Sequence, residues 1–196
     1  MTHHENPVDR IRAATRADAR AISEIYAPYV RETAISFEYE APDETEIAAR
    51  IAKVLPAYPW LVCEMDGRVV GYAYGSAHAE RAAYGRSVNA GIYLARGTHR
   101  RGIGRALYAV LLGALKLQGY HAVFGGITLP NPASVGLHEA SGFTPVGVYR
   151  EVGFKFDSWH DVGWWGLTFA TGGEAKPLLP FTDVLLGEAK RIAAGA

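Results

Sequence analysis

Residues 98–107 read THRRGIGRAL, two glycines two apart with arginines on either side, followed by an apolar, helix-like run. A strand that ends in such a turn and feeds a helix aims several backbone N–H groups at one point. The helix dipole adds partial positive charge there, so a phosphate or pyrophosphate is favoured. Small residues let the backbone itself approach the ligand, and Arg100, Arg101 and Arg105 add charge at the rim. The loop lacks the third glycine of a dinucleotide-binding turn and the Gly-Lys-Ser/Thr end of a P-loop. On its own it is also compatible with a plain basic helix start at the surface.

The elements around this loop follow from periodicity. "SVNAGIYLA", residues 87–95, alternates and predicts the strand that leads into it. Behind it, residues 105–118 predict a helix whose core side is Leu107, Leu111, Leu112 and Leu115, ended by Gly119. "HAVFGGITL" predicts another strand, "NPASVGLHEAS" a helix stopped by Gly142, and residues 143–154 and 159–169 two final strands. Upstream, residues 10–15 predict a short strand. Thr15 and Asp18 start a helix with Ile22, Ile25, Tyr26 and Tyr29 on its apolar face, in which Pro28 implies a kink or a late break. Asp43 and Glu46 form a capping-box candidate ahead of an Ile47, Ile51, Val54, Leu55 stripe. Residues 60–77 predict a hairpin turning at Asp66-Gly67. The order β-α-α-β-β-β-α-β-α-β-β predicts a mixed α/β domain with one main sheet.

At 196 residues the chain suits one domain with a sizeable core. We expect a flexible tail over residues 1–9, the domain over 10–170, and an appendage over 171–196 that is Gly-rich, then Pro-flanked, then weakly helical. Lys+Arg and Asp+Glu are equal at 20 each, which gives no footing for nucleic-acid binding. No run approaches the ~18 apolar residues of a membrane helix, and the N-terminus shows no signal-peptide pattern. The single cysteine, Cys63, rules out an internal disulfide and suits a reducing cytoplasm. It lies in an apolar run and is expected in the core. The scattered histidines offer no metal site, and His3 and His4 read as tail.

Three blocks, "SVNAGIYLARGTHRRGIGRALYAVLL", "GITLPNPASVGLHEASGF" and "GFKFDSWHDVGWW", resemble the GNAT superfamily of acetyl-CoA-dependent N-acetyltransferases, and within it the phosphinothricin N-acetyltransferase group. The resemblance runs from about Arg10 to Phe169. It implies a single GNAT-type domain, with a mixed sheet of about six to seven strands, helices on both faces, and a splayed strand pair. It also implies acetyl-CoA as co-substrate, a small-molecule amine as acceptor, direct attack in a ternary complex, and a homodimer. The pyrophosphate of the co-substrate falls to backbone amides over Arg100, Arg101, Gly102, Ile103, Gly104 and Arg105. His99 stands where the group usually has Gln or Arg. Ile92, Tyr93 and Leu94 match the stretch that pairs with the pantetheine arm, and Asn131 an asparagine set against the cofactor, a role compatible with a helix N-cap.

Acetyl transfer needs a neutral amine, a stabilised oxyanion and a proton for the leaving thiolate. The resemblance places the oxyanion near the N–H of Leu94 and the proton donor at His138, which is otherwise a packed histidine on a helix face. The group's base is a glutamate, and this chain has Asn89 there. An amide accepts no proton near neutrality. Three readings stay open. A water held by Asn89 and strand carbonyls is the first choice, since an α-amino group with a pKa near ~8 is already partly neutral. His78 or Glu80 is the second. The third is a weakly active or non-catalytic acyl-CoA-binding member. On the acceptor side, Arg81 and Tyr84 match a basic residue and a tyrosine, while Ala79 replaces a second basic residue. That loss removes roughly 1.5–3 kcal/mol from the binding of an acidic group. Phe37 and Tyr108 match two further acceptor positions or are core.

Overall fold

The computed structural model describes residues 6–98, 100–169 and 177–195. In chain order the elements are β1 (Ile11–Ala13), α1 (Ala19–Glu32), α2 (Glu44–Val54), β2 (Trp60–Met65), β3 (Arg68–Ala77), β4 (Ser87–Leu94), α3 (Ile103–Gln118), β5 (Ala122–Thr128), α4 (Pro132–Ala140), β6 (Thr144–Lys155), β7 (Ser158–Thr168) and α5 (Asp183–Ala194). One seven-stranded sheet runs β1-β2-β3-β4-β5-β7-β6. Only the β4–β5 pair is parallel.

Each face of the sheet carries its own core. Leu107, Leu111 and Leu115 of α3 pack with Leu61, Ala73, Val88 and Val123 on one side. Ile22, Ile25 and Val30 of α1 and Ile47 and Ile51 of α2 pack with Trp60, Val62 and Tyr72 on the other. Cys63 is buried. The 3.6-residue stripes thus mark the buried faces, with Leu55 just beyond the end of α2. Asp66 and Gly67 both have positive φ, as the β2–β3 hairpin turn requires. Asp18 accepts from the backbone N–H of Thr15 at 2.8 Å, so a short 3₁₀ turn precedes α1. α1 runs a full turn past Pro28 and ends late. Asp43 caps α2 by accepting from the Glu46 N–H, while the Glu46 carboxylate goes to Arg50. α3 starts two residues before the expected point because Gly102, at φ 77°, is its N-cap.

The core extends beyond the expected domain edges at both ends. Val8 sits in a 3₁₀ turn over Pro7–Arg10 and is buried. Phe181, Leu185, Leu186 and Ala189 belong to the α3 cluster, with α5 laid on α3. The helix expected as a weak appendage therefore covers part of the core with its apolar stripe. His3, His4 and residues 170–176 lie outside the described residues.

β4 pairs with β5 only through Ser87↔Ala122, Val88↔Val123 and Asn89↔Phe124. Beyond Asn89 the two strands part, while β4 stays paired with β3 as far as Leu94. This is the expected splay. It opens a fork in the sheet whose root is Asn89.

Candidate active site

Two strand N–H groups point into the fork. Ala95 donates to Val70 of β3 at 2.9 Å. Alternation along an antiparallel strand then turns the N–H groups of Leu94 and Ile92 away from β3, toward the side where β5 has left. The Leu94 carbonyl on that side accepts from the Tyr29 hydroxyl at 2.6 Å, which ties α1 to the strand. A cleft of about 60 Å³ fills the fork, lined among others by Ile92, Tyr93, Tyr108, Asn131, Ser134 and His138. Ile35 and Thr128 also line it, and no sequence signal singled them out.

The glycine loop lies at the open end of β4. The Ala106 N–H is the first to find a carbonyl within the helix, that of Gly102, so the N–H groups of Ile103, Gly104 and Arg105 have no helical acceptor. A hollow of about 450 Å³ faces them, lined by Leu94, Arg100, Gly102, Ile103, Gly104, Arg105, Ala133 and Leu137. A Cβ on Gly104 would come within 3.3 Å of Leu137, so glycine permits the close approach of α3 to α4. Arg101 is exposed and lies outside this lining. His99 lies outside the described residues. The sequence-matched cofactor residues thus gather, Arg101 aside, around two adjoining spaces. One of these offers a backbone anion site and the other unpaired strand amides.

His138 is 3% exposed. Its Nδ1 lies 2.8 Å from the Ser134 carbonyl, which only accepts, so Nδ1 carries the proton. Nε2 then holds the lone pair and accepts from the Tyr108 hydroxyl at 2.9 Å. Burial pushes the His138 pKa below the ordinary histidine value and that of Tyr108 well above the ordinary tyrosine value. The neutral imidazole is therefore an acceptor at the atom facing Tyr108. This differs from the expected direct donor: the proton on the cleft wall sits on Tyr108. The ring presses so close to β5 that a Cβ at Gly125 would lie 2.3 Å from Nε2. Asn131 lines the cleft and also caps α4, its Oδ1 accepting from the Ser134 N–H at 3.1 Å. Ser134, whose carbonyl sets the histidine tautomer, was not picked out from sequence, since only the fold reveals that role.

At the root of the fork the Asn89 Oδ1 lies 2.8 Å from His78 Nδ1, and its Nδ2 is 3.5 Å from the Ala77 carbonyl. The His78 ring packs on Phe124, with Tyr84 and Trp164 farther out. Arg81 and Tyr84 are exposed in the loop between β3 and β4. Phe37 lies elsewhere, over Gly153 and near His160 of the β6–β7 hairpin. Of the four residues matched to the acceptor, Tyr108 lines the cleft and Tyr84 lies near the His78 ring, while Arg81 stands exposed in the loop and Phe37 packs against the β6–β7 hairpin away from the cleft. The loop bearing Phe37 is anchored by Lys155, buried and donating to the carbonyls of Val30, Thr33 and Ser36 at 2.6, 3.1 and 2.6 Å.

Comparison with known proteins places this architecture. A family model described as an acetyltransferase (GNAT) domain matches residues 11–164. A phosphinothricin N-acetyltransferase of Streptomyces viridochromogenes is 36% identical over 184 residues, 94% of this chain and 100% of that one. Another from Alcaligenes faecalis is 40% identical, over 77% of this chain and 78% of its own length. The crystal structure of a GNAT superfamily phosphinothricin acetyltransferase from Sinorhizobium meliloti in complex with AcCoA superposes with a TM-score of 0.81 at 34% identity, covering 90% of this chain and 97% of that one. With the splayed β4–β5 fork, the glycine-capped α3 and this extent of similarity, the chain belongs to the GNAT acetyltransferase family.

Proposed function

We propose that the chain moves the acetyl group of acetyl-CoA to the amine of a small amino-acid-like acceptor at the β4–β5 fork. The observation that carries this reading is the fork itself. It puts two unpaired strand amides beside a buried Tyr108–His138 pair and one helix start away from an anion-ready hollow. Those amides fit a chain-like ligand carrying carbonyl groups, and the N–H groups of Ile103, Gly104 and Arg105 fit its pyrophosphate. Acetyl-CoA supplies an activated thioester. The Leu94 N–H is the donor that meets negative charge developing on a carbonyl oxygen in the fork. The Tyr108 hydroxyl on the cleft wall would protonate a leaving thiolate by turning from His138 Nε2, to which it donates at 2.9 Å, and His138 is fixed by Ser134.

Arg81 supplies a cation for the acidic group of an acceptor. With Ala79 beside it there is one such contact rather than two, which favours amino-acid-like acceptors that do not depend on a doubly held acid. The reading includes a second copy of the chain as partner. β6 is the edge strand opposite β1 and exposes Val146, Val148, Tyr149, Val152 and Phe154. A long apolar edge of this kind is a template for pairing. The reading also includes a cytoplasmic site of action, supported by the donor, a metabolite of the cell interior, and by the free thiol of Cys63. No helix among the described residues is long and apolar enough to cross a membrane.

Thiol release from acetyl-CoA over a panel of amino acids and their sulfoximine and phosphinate analogues tests the reading, with product mass confirming N-acetylation. Turnover with at least one small amine supports it. Tight acetyl-CoA binding with no turnover on any of them would favour the non-catalytic acyl-CoA-binding alternative.

A further inference from the structure

The chain lacks a carboxylate at the root of the fork, and no amide can take its place as a base. The hydrogen bonds there assign a different one. Asn89 Nδ2 faces the Ala77 carbonyl, which only accepts, so the amide oxygen is the atom turned to His78. That oxygen also only accepts. His78 Nδ1 therefore carries the proton, and Nε2 is left with a lone pair. Among the described residues no hydrogen bond is made at Nε2. We infer that His78 is the general base of the acetyl transfer and that Asn89 is the positioning residue that fixes its tautomer and ring. The inference rests on the acetyltransferase reading above.

Placement supports it. Asn89 lies opposite Ser76 on β3 and Phe124 on β5, at the last rung before β4 and β5 part. The next residue, Ala90, already lines the cleft, with Gly91 and Tyr93. Side chains alternate along a strand, so Asn89, Gly91 and Tyr93 share one face, and Tyr93 packs against Tyr26 and Tyr29 of α1. The imidazole bonded to Asn89 is thus held on the α1 side of the sheet at the root of the fork, next to the rung after which the cleft lining begins at Ala90. Phe124, Trp164 and Tyr84 flank the ring, and Tyr84 is the titratable group among them. Glu80 of the same loop is exposed. Asn89 does the work of the asparagine or aspartate that orients a catalytic histidine in hydrolases. A glutamate at 89 would reach an acceptor itself; an asparagine there needs the imidazole.

The protons balance. His78 Nε2 takes one proton from the acceptor's ammonium group. The freed nitrogen lone pair forms the C–N bond at the acetyl carbon as the C–S bond breaks. The second proton lost from nitrogen ends on the sulfur, and His78 returns its own to solvent.

The test combines His78→Ala, Asn89→Asp and Asn89→Leu with added imidazole. His78→Ala is expected to lower kcat/KM by on the order of 10²-fold, with acetyl-CoA affinity by calorimetry unchanged. Free imidazole should restore part of the loss in proportion to its concentration, which a merely structural histidine would not show. The acid-side fall of the kcat/KM profile should move up in His78→Ala to the pKa of the free amine, near ~8 for an α-amino group. Asn89→Asp, which keeps the acceptor oxygen, should lose less activity than Asn89→Leu. Wild-type kcat/KM in His78→Ala, or a loss that imidazole leaves untouched with the pH profile unmoved, would overturn the assignment and leave the acetyltransferase reading standing. A wild type that binds acetyl-CoA without turnover would overturn both.

Discussion

Tyr108→Phe removes one oxygen atom from a side chain with 0% exposure and keeps its ring. The hydroxyl it deletes is the donor to His138 Nε2 at 2.9 Å. The imidazole, 3% exposed and committed through Nδ1 to Ser134, is left with a buried, unpaired acceptor. An orphaned buried acceptor costs about 1–3 kcal/mol. Each kcal/mol moves Tm by roughly 2–4 °C in a chain of this size, so thermal unfolding should begin several degrees lower. If the hydroxyl also carries the proton for the leaving group, kcat should fall by on the order of 10²-fold, with the acceptor's KM little changed. The assay pairs calorimetric unfolding with thiol release on the best amine found. A full loss of stability at wild-type kcat would refute the catalytic role and leave a packing pair. A variant unchanged in both would refute the hydrogen bond itself.

Other outcomes follow from the same geometry. Gly104→Val puts a branched side chain where even a Cβ lies 3.3 Å from Leu137; calorimetry should show acetyl-CoA binding weakened at least tenfold in a folded protein, and unchanged affinity would sink the loop's assignment. Burial depresses the His138 pKa, so below ~6.5 the unfolded chain takes up a proton that the folded chain refuses. Its contribution to stability is present above that pH and is lost as pH falls, with a slope of up to ~1.4 kcal/mol per pH unit. Urea midpoints between pH 7 and 5 should show this slope, and His138→Gln should flatten it; an equal slope in both would contradict the buried neutral state. Lys155→Met strands three carbonyls and should cost about 3 kcal/mol or more by denaturant titration. Light scattering should give a dimer mass that Val148→Lys on β6 reduces to that of one chain; a wild-type monomer would exclude the edge-strand partner.

Local chemistry made the frame legible. Asp-Gly marked the β2–β3 turn because both residues must take positive φ, and Gly119 marked the end of α3 for the same reason, whereas Gly102, read only as part of the anion loop, is also its N-cap. The fork was available only through the resemblance, because nothing in "SVNAGIYL" says which neighbour β4 abandons. The buried C-terminal helix was underrated: its stripe is short and follows a Gly- and Pro-rich stretch, and only the complementary face of α3 gives it weight. Tautomers were out of reach. Tyr108 and His138 stand 30 residues apart, and His78 lies in the loop just after β3 while Asn89 is on β4, 11 residues on. The proton positions depend on carbonyls, those of Ser134 and Ala77, that every residue carries and no sequence pattern distinguishes.

Amide hydrogen exchange on the protein with and without acetyl-CoA tests the central claim most directly. The account places the ligand along residues 90–94 of β4 and at the start of α3. Exchange at Ile92, Leu94, Ile103, Gly104 and Arg105 should therefore slow markedly when acetyl-CoA is added, while the β6–β7 hairpin tip stays as it was. Protection confined to a different space, such as the aromatic cavity that Trp60, Tyr72 and Tyr74 form beneath α2, with the β4 and α3 amides unaffected, would contradict it.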